Sequence, residues 1–321
     1  MVSAHDLLRL PYTPDLTQAG IAAACRWLAY PYRDKGEPGL THSTHIVAQT
    51  AVELAFQRHL QAQRIRYGIH QGVDPALPEQ SALVIGGRQC SIHAVYLDHP
   101  ETTAALHAQP ELLINASALV SSDEVLAWRP GEQKVYLFAF ILGQAKSTEN
   151  LTGAGSGSVL EYLLAPMPTV WAQPRQWIPL GPLQLKGEVT QALRLSLGGQ
   201  SSARHFQSEE LILPPGQTVA CRNEYFSLAY LHADHRPASE VIVSCPQHGL
   251  RARLSPEMWR DVWLPGIEII LCGYIPHPEF ARRSRRMEAD SPVLALPRPQ
   301  GKYRYLSVGE LHPIDELLAI A

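Results

Sequence analysis

Charge is scarce in this chain: only 18% of its 321 residues are Asp, Glu, Lys or Arg, and lysine nearly vanishes, with 5 Lys against 22 Arg. So little charge beside 45% apolar residues excludes a disordered tail, a coiled coil and a histone-like basic binder, and it allows a large core to be buried. No apolar run approaches the ~18 residues of a membrane helix. Residues 1–11 lack a basic stretch followed by an apolar segment, so neither a membrane span nor a secretory signal is expected and the expected location is cytoplasmic. Without a signal, Asn115-Ala-Ser and Asn150-Leu-Thr carry no expectation of glycosylation. Cysteine is also sparse. Cys25, Cys90, Cys221, Cys245 and Cys272 are odd in number, widely spaced and set mostly in apolar stretches, the pattern of buried free thiols in a reducing compartment. Cys245 and His248 have a ligand-like spacing, but a structural zinc site needs four ligands.

Proline is plentiful, at 26 residues, and it punctuates the chain. Thr13-Pro14-Asp15 is a helix start, with a capping hydroxyl, proline in the first turn and an acid near the positive end, and the helix is expected to run to about Tyr30. A second helix is expected over 41–63. Strands are expected at 65–70, 82–86 and 89–97, the last two joined through Gly86-Gly87. Residues 102–120 read as helical, and 124–128 with 134–142 read as a hairpin across Arg129-Pro130-Gly131. The Gly/Ser-rich segment 151–158 reads as the loop between two halves. Pro166, Pro168, Pro174, Pro179 and Pro182 then exclude long helices, and alternating apolar runs indicate strands. An apolar strand at 267–274 is expected to precede helices at 278–287 and 314–321. The expectation is a mixed α/β (α+β) chain with domains at 1–150 and 159–321, the second β-rich with C-terminal helices.

Three stretches carry a functional reading: Ala51-Val-Glu-Leu-Ala-Phe-Gln-Arg-His-Leu60, Arg64-Ile-Arg-Tyr-Gly68 and Ala82-Leu-Val-Ile-Gly-Gly-Arg-Gln-Cys-Ser-Ile-His93. Their order of helix, strand, hairpin, helix and strand over about 40–145 resembles the core of the restriction-endonuclease-like, PD-(D/E)XK nuclease superfamily, a mixed sheet flanked by helices. In that family a helical Glu, an Asp opening the hairpin and an acid-x-Lys pair on the next strand bind Mg²⁺ and activate water beside the scissile phosphate. By this resemblance Glu53 is the helical acid. Ala82 falls where the Asp would be, and Ser91 and His93 fall on the acid-x-Lys pair. Holding Mg²⁺ takes hard anionic oxygens, which Ala82 and Ser91 do not supply. His93 can act as a base near neutrality, but no metal-fixing acid stands beside it in the sequence.

The resemblance therefore implies a nuclease-like fold with a dismantled site at Glu53, Ser91 and His93, no metal and no cofactor. Such a protein would bind DNA or join other subunits in a DNA-processing or defence complex. Two alternatives stand beside it. One is an active Mg²⁺-dependent nuclease that draws acids from Asp74 or Asp98 with Glu53; the other is a protein–protein scaffold that uses the β-rich half. Each residue also has a plain structural role open to it. Glu53 shares a largely apolar helix stripe with Ile46, Phe56 and Leu60 and would need a cation such as Arg64 or Arg66. His93 can be a hydrogen-bonded strand histidine, and Asp123-Glu124 can be turn chemistry.

The second lead is electrostatic. Between 282 and 304 lie seven cations (Arg282, Arg283, Arg285, Arg286, Arg298, Lys302, Arg304) and two acids, a local +5 that leaves −8 on the rest of a chain whose total is −3. Arg282, Arg283, Arg285, Arg286, Lys302 and Arg304 are the candidate nucleic-acid contacts, since guanidinium groups suit phosphate. Spread over one helix, Arg282, Arg283, Arg285 and Arg286 would not all face one ligand, and cations at a helix C-terminus also offset its dipole.

Overall fold

The computed structural model describes residues 1–29, 40–70, 82–97, 99–128, 131–143, 163–262, 266–287 and 302–320. The 151–158 segment, Asp74, Asp98 and Arg298 lie outside them. The chain opens with β1 (Leu8–Pro11), α1 (Pro14–Leu28) and α2 (Leu40–Ala62), then β2 (Tyr67–His70), β3 (Ala82–Ile85) and β4 (Arg88–Leu97). Helix α3 (Pro100–Ala108), a 3-10 turn at Pro110–Asn115, β5 (Ser117–Ser121), α4 (Ser122–Leu126) and β6 (Lys134–Gly143) follow. The middle holds β7 (Leu163–Pro166), α5 (Thr169–Ala172), β8 (Gln184–Gly187), β9 (Leu193–Gln200), β10 (Phe206–Leu213), β11 (Thr218–Ala220), β12 (Ser227–Ala233), β13 (Val241–Cys245), β14 (Leu250–Leu254) and β15 (Arg260–Asp261). The last stretch comprises β16 (Gly266–Pro276), α6 (His277–Arg283), β17 (Arg285–Arg286), β18 (Tyr303–Ser307) and α7 (Ile314–Leu318).

Six strands make the central sheet in the order β1-β16-β6-β4-β3-β2, and within it only β4 and β6 run parallel. Gly86 and Gly87, at φ +54° and +77°, supply the two left-handed residues that a tight turn between β3 and β4 requires. The apolar run of β6 is buried on both faces, as a central strand must be. Val135, Leu137, Ala139 and Ile141 pack with Leu16, Val47, Val52 and Phe56 of α1 and α2. Tyr136, Phe138, Phe140 and Leu142 point the other way, against Leu106, Leu113, Val120, Phe280 and Leu306. The two helices meet where a Cβ on Gly20 would lie 2.6 Å from the Val47 carbonyl oxygen. Gly20→Ala must push backbone against backbone, and a loss of about 2 kcal/mol in urea unfolding is expected from such overpacking.

The β-rich lobe is built from two sheets, β10-β9-β12-β7-β15 and β11-β8-β13-β14, which enclose Trp171, Leu185, Leu195, Leu197, Tyr225, Leu231, Val243 and Trp259. Leu164, Ala229 and Tyr230 of β7 and β12 turn away from that core and join the cluster of α1 and α2, so the lobe seats on α1.

Several expectations are revised. The lobe spans 163–262 and does not extend to the C-terminus, because β16 returns between β1 and β6 and α7 buries Ile314 and Leu317 against the first lobe. An uninterrupted apolar strand such as β16 needs cover on both faces, which only the central sheet offers. The helix expected over 102–120 is cut at Ala108 before Pro110, and β5 starts at Ser117. The expected hairpin of 124–128 with 134–142 is absent: 122–126 is helix α4, started by the Ser121 hydroxyl accepting from the Glu124 N–H, and β6 pairs in parallel with β4. The 278–287 helix ends at Arg283, and Arg285–Arg286 pairs instead with β18.

Candidate functional site

Alternation along β4 decides what each candidate residue can reach. Cys90, Ile92 and Ala94 face α2, while Ser91 and His93 face the opposite side of the sheet. Glu53 lies on α2, so the structure does not bring it together with Ser91 and His93. Its partner is Gln49 one turn earlier (3.2 Å), neither Arg64 nor Arg66, and the Gln49 amide also donates to the Ile92 carbonyl. Burial pushes the Glu53 carboxyl up to about 7, against a smaller downward pull from Gln49. The positions of β4 that do face α2 offer no acid.

Ser91 and His93 meet Glu124, which the sequence offered only as turn chemistry, and Lys134, to which it assigned no role. Glu124 Oε1 accepts from Ser91 Oγ (2.9 Å) and from Lys134 Nζ (2.9 Å). His93 Nε2, shielded from solvent, faces the same oxygen at 3.5 Å, longer than a good hydrogen bond. Burial would raise the Glu124 carboxyl, but His93 and Lys134 outweigh it and hold the group well below its ordinary range. Lys134 Nζ also sits 5.3 Å from the centre of the Tyr136 ring. The Tyr136 hydroxyl shares a 2.7 Å hydrogen bond with His277 Nδ1, and His277 stacks on Trp128 at 4.9 Å. Burial, with Lys134 adding to it, lowers the His277 imidazole pKa, so the ring is neutral at pH 7; burial, with Glu124 adding to it, raises the Tyr136 phenol. Ser91 donates to a carboxylate that His93 and Lys134 hold well below its ordinary range, which makes Glu124 a weak base for the hydroxyl. It is a carboxylate held by surrounding donors that ties α4 to β4 and β6. The one sequence signal for it was Ser121-x-x-Glu124, a helix-start spacing that contradicts a strand there.

The basic segment divides into two groups. Arg283 is tied to Glu279 (2.6 Å) and Glu310 (3.4 Å), and Arg304 donates to the carbonyls of Ala281 and Ser284, closing the end of α6. Both are structural. Arg282, Arg285, Arg286 and Lys302 are exposed and make no ion pair among the described residues. Cys245 and His248 each bond a main-chain carbonyl, Leu180 and Pro179 respectively, and do not pair as ligands. Among the described residues no group of three or more His, Cys, Asp and Glu is placed to hold a metal ion, and no helix is long and apolar enough to cross a membrane. Comparison with family models, curated proteins and solved structures finds no match to this chain.

Proposed function

We propose that the chain is a catalytically inactive, nuclease-like DNA-binding protein that works within a DNA-processing or defence complex. The observation that carries the binding half is the exposed set Arg282, Arg285, Arg286 and Lys302, left without acidic partners among the described residues in a chain that is otherwise net acidic. Support for the nuclease-like half comes from connectivity. Helix α2, strand β2, the β3–β4 hairpin, helix α3 and strand β6 follow in the order of the superfamily core, with β2, β3, β4 and β6 as consecutive neighbours. By the resemblance Glu53 is the helical acid, and a part-buried carboxyl with one amide partner is a cost that a purely structural helix does not require. The inactive half rests on Ala82 at the hairpin position and on Cys90, Ile92 and Ala94, the β4 residues that face the helix of Glu53, none of which supplies a second carboxylate for Mg²⁺.

The test is fluorescence anisotropy on labelled DNA across a salt series. Replacing Arg282, Arg285, Arg286 and Lys302 by Ala is expected to weaken binding at least ~10-fold and to lower the salt slope by about 3 to 4, near one for each phosphate no longer neutralised. Unchanged affinity would remove this surface from the reading. No cleavage is expected with Mg²⁺ or Mn²⁺; cleavage that vanishes in Glu53→Ala would restore the active-nuclease alternative. No binding at low salt would overturn the DNA reading and leave the scaffold.

A further inference from the structure

The three-stranded sheet β17-β18-β5 has one face turned inward and one turned out. Leu306 on β18 and Ala118 and Val120 on β5 are buried in the core beneath it. Arg304, two residues from Leu306, turns the same way and reaches the end of α6. Tyr303 and Tyr305 therefore project from the opposite face, where their cross-strand partners are Ser121 and Leu119, with Arg285 beside Tyr305 on β17. Both tyrosines are half-exposed. Among the described residues, neither joins an apolar cluster or stacks on another ring. The far end of this face is closed, since Ser117 is buried and Ser307 Oγ donates to the Ile114 carbonyl (2.8 Å). The open half thus holds two rings spaced about 7 Å along one strand, with the exposed Arg285 on the same face and the exposed Lys302 at the open end of the strand; Arg286, opposite Arg304, turns to the other face.

We propose that this face binds single-stranded DNA, its bases stacking on Tyr303 and Tyr305 and its phosphates held by Arg285 on that face and Lys302 at its open end; the inference rests on the DNA-binding reading above. Rings on a sheet face beside cations are the two parts a single-strand platform needs, and the positive charge complements the phosphate backbone. Within a duplex the base faces are already stacked on one another. Two tyrosines would add nothing to duplex affinity.

The experiment uses the full chain and anisotropy with an oligothymidine of about 20 nucleotides, longer than the ~4–16 nucleotides such a module covers, beside a duplex of equal length. Tyr303→Ala with Tyr305→Ala is expected to lower single-strand affinity by about 10- to 100-fold and to leave duplex affinity unchanged, while Tyr303→Phe with Tyr305→Phe keeps wild-type binding. Tyr303→Ala alone, at the open end of β18, reads a loss of about 5- to 10-fold if the double variant does not fold. Single-strand affinity untouched by these substitutions would sink the platform and leave the DNA-binding reading standing. Failure of the wild-type chain to bind either oligonucleotide would sink both.

Discussion

Glu124→Ala is expected to lower the free energy of unfolding by about 3 kcal/mol, the low end of what removing one member of a buried ion pair costs. The reason is the crowding of donors on one oxygen. Ser91 and Lys134 both donate to Glu124 Oε1, and His93 faces it. Truncation leaves the Lys134 ammonium, whose side chain is 18% exposed, with the Tyr136 ring as its remaining partner among the described residues. That partial exposure is why the low end applies. Ser91→Ala removes one neutral donor and is expected to cost about 1 kcal/mol. The carboxyl is depressed in the folded state, so its contribution is full above the ordinary value of 4.5 and is lost as pH falls below it toward the folded value. In urea titrations the gap between wild type and Glu124→Gln should accordingly be widest near neutrality and shrink in acid. A gap that stays constant with pH, or a Glu124→Ala loss under about 1 kcal/mol, would show a solvated group of no structural weight.

Glu53→Gln should act in the opposite direction. The folded carboxyl is raised from 4.5 to about 7, so the acid is accommodated without penalty below pH 4.5, and the penalty grows as pH rises through the folded value. At pH 8 the glutamine variant is expected to be about 2–3 kcal/mol more stable than wild type, somewhat below the ~3.5 kcal/mol that ~1.4 kcal/mol for each unit of pKa displaced would give, because the side chain is only partly buried. At pH 4 the two should be nearly equal. Urea midpoints at the two pH values measure this directly. Equal stability at pH 8 would mean that the carboxylate is solvated or paired, and the burial argument for Glu53 would fall. The same variant bears on function: a residue without a catalytic task can be replaced with no change in DNA affinity.

The two predictions concern opposite faces of one sheet, and their separation was hidden in the sequence. Local signals were legible. Thr13-Pro14-Asp15 starts α1, with Pro14 in its first turn, Gly86-Gly87 turns β3 into β4, and Pro110 marks a break after α3, because each acts on backbone dihedrals within a few residues. The failures came where a local pattern has two solutions. Glu124–Trp128, a short apolar run before Arg129-Pro130-Gly131, suggests a hairpin strand, yet the Ser121 hydroxyl captures the Glu124 N–H and starts a helix. The arginine run 282–286 suggests one helix, yet Arg304 caps it at Arg283 and turns the next residues into a strand edge.

By itself the sequence determined a mixed α/β chain with a large apolar core, free buried cysteines, a strand–hairpin–helix–strand order and a cationic C-terminal stretch. These follow from composition, periodicity and turn residues. Only the tertiary structure decided that β16 and α7 complete the first lobe, that Glu124 and Lys134 are the partners of Ser91 and His93, and that Glu53 lies across the sheet from them. The physical reason is the pleat. Ser91 and Ile92 are adjacent in sequence but point to opposite faces, and which face receives α2 is fixed by packing among residues far apart in the chain.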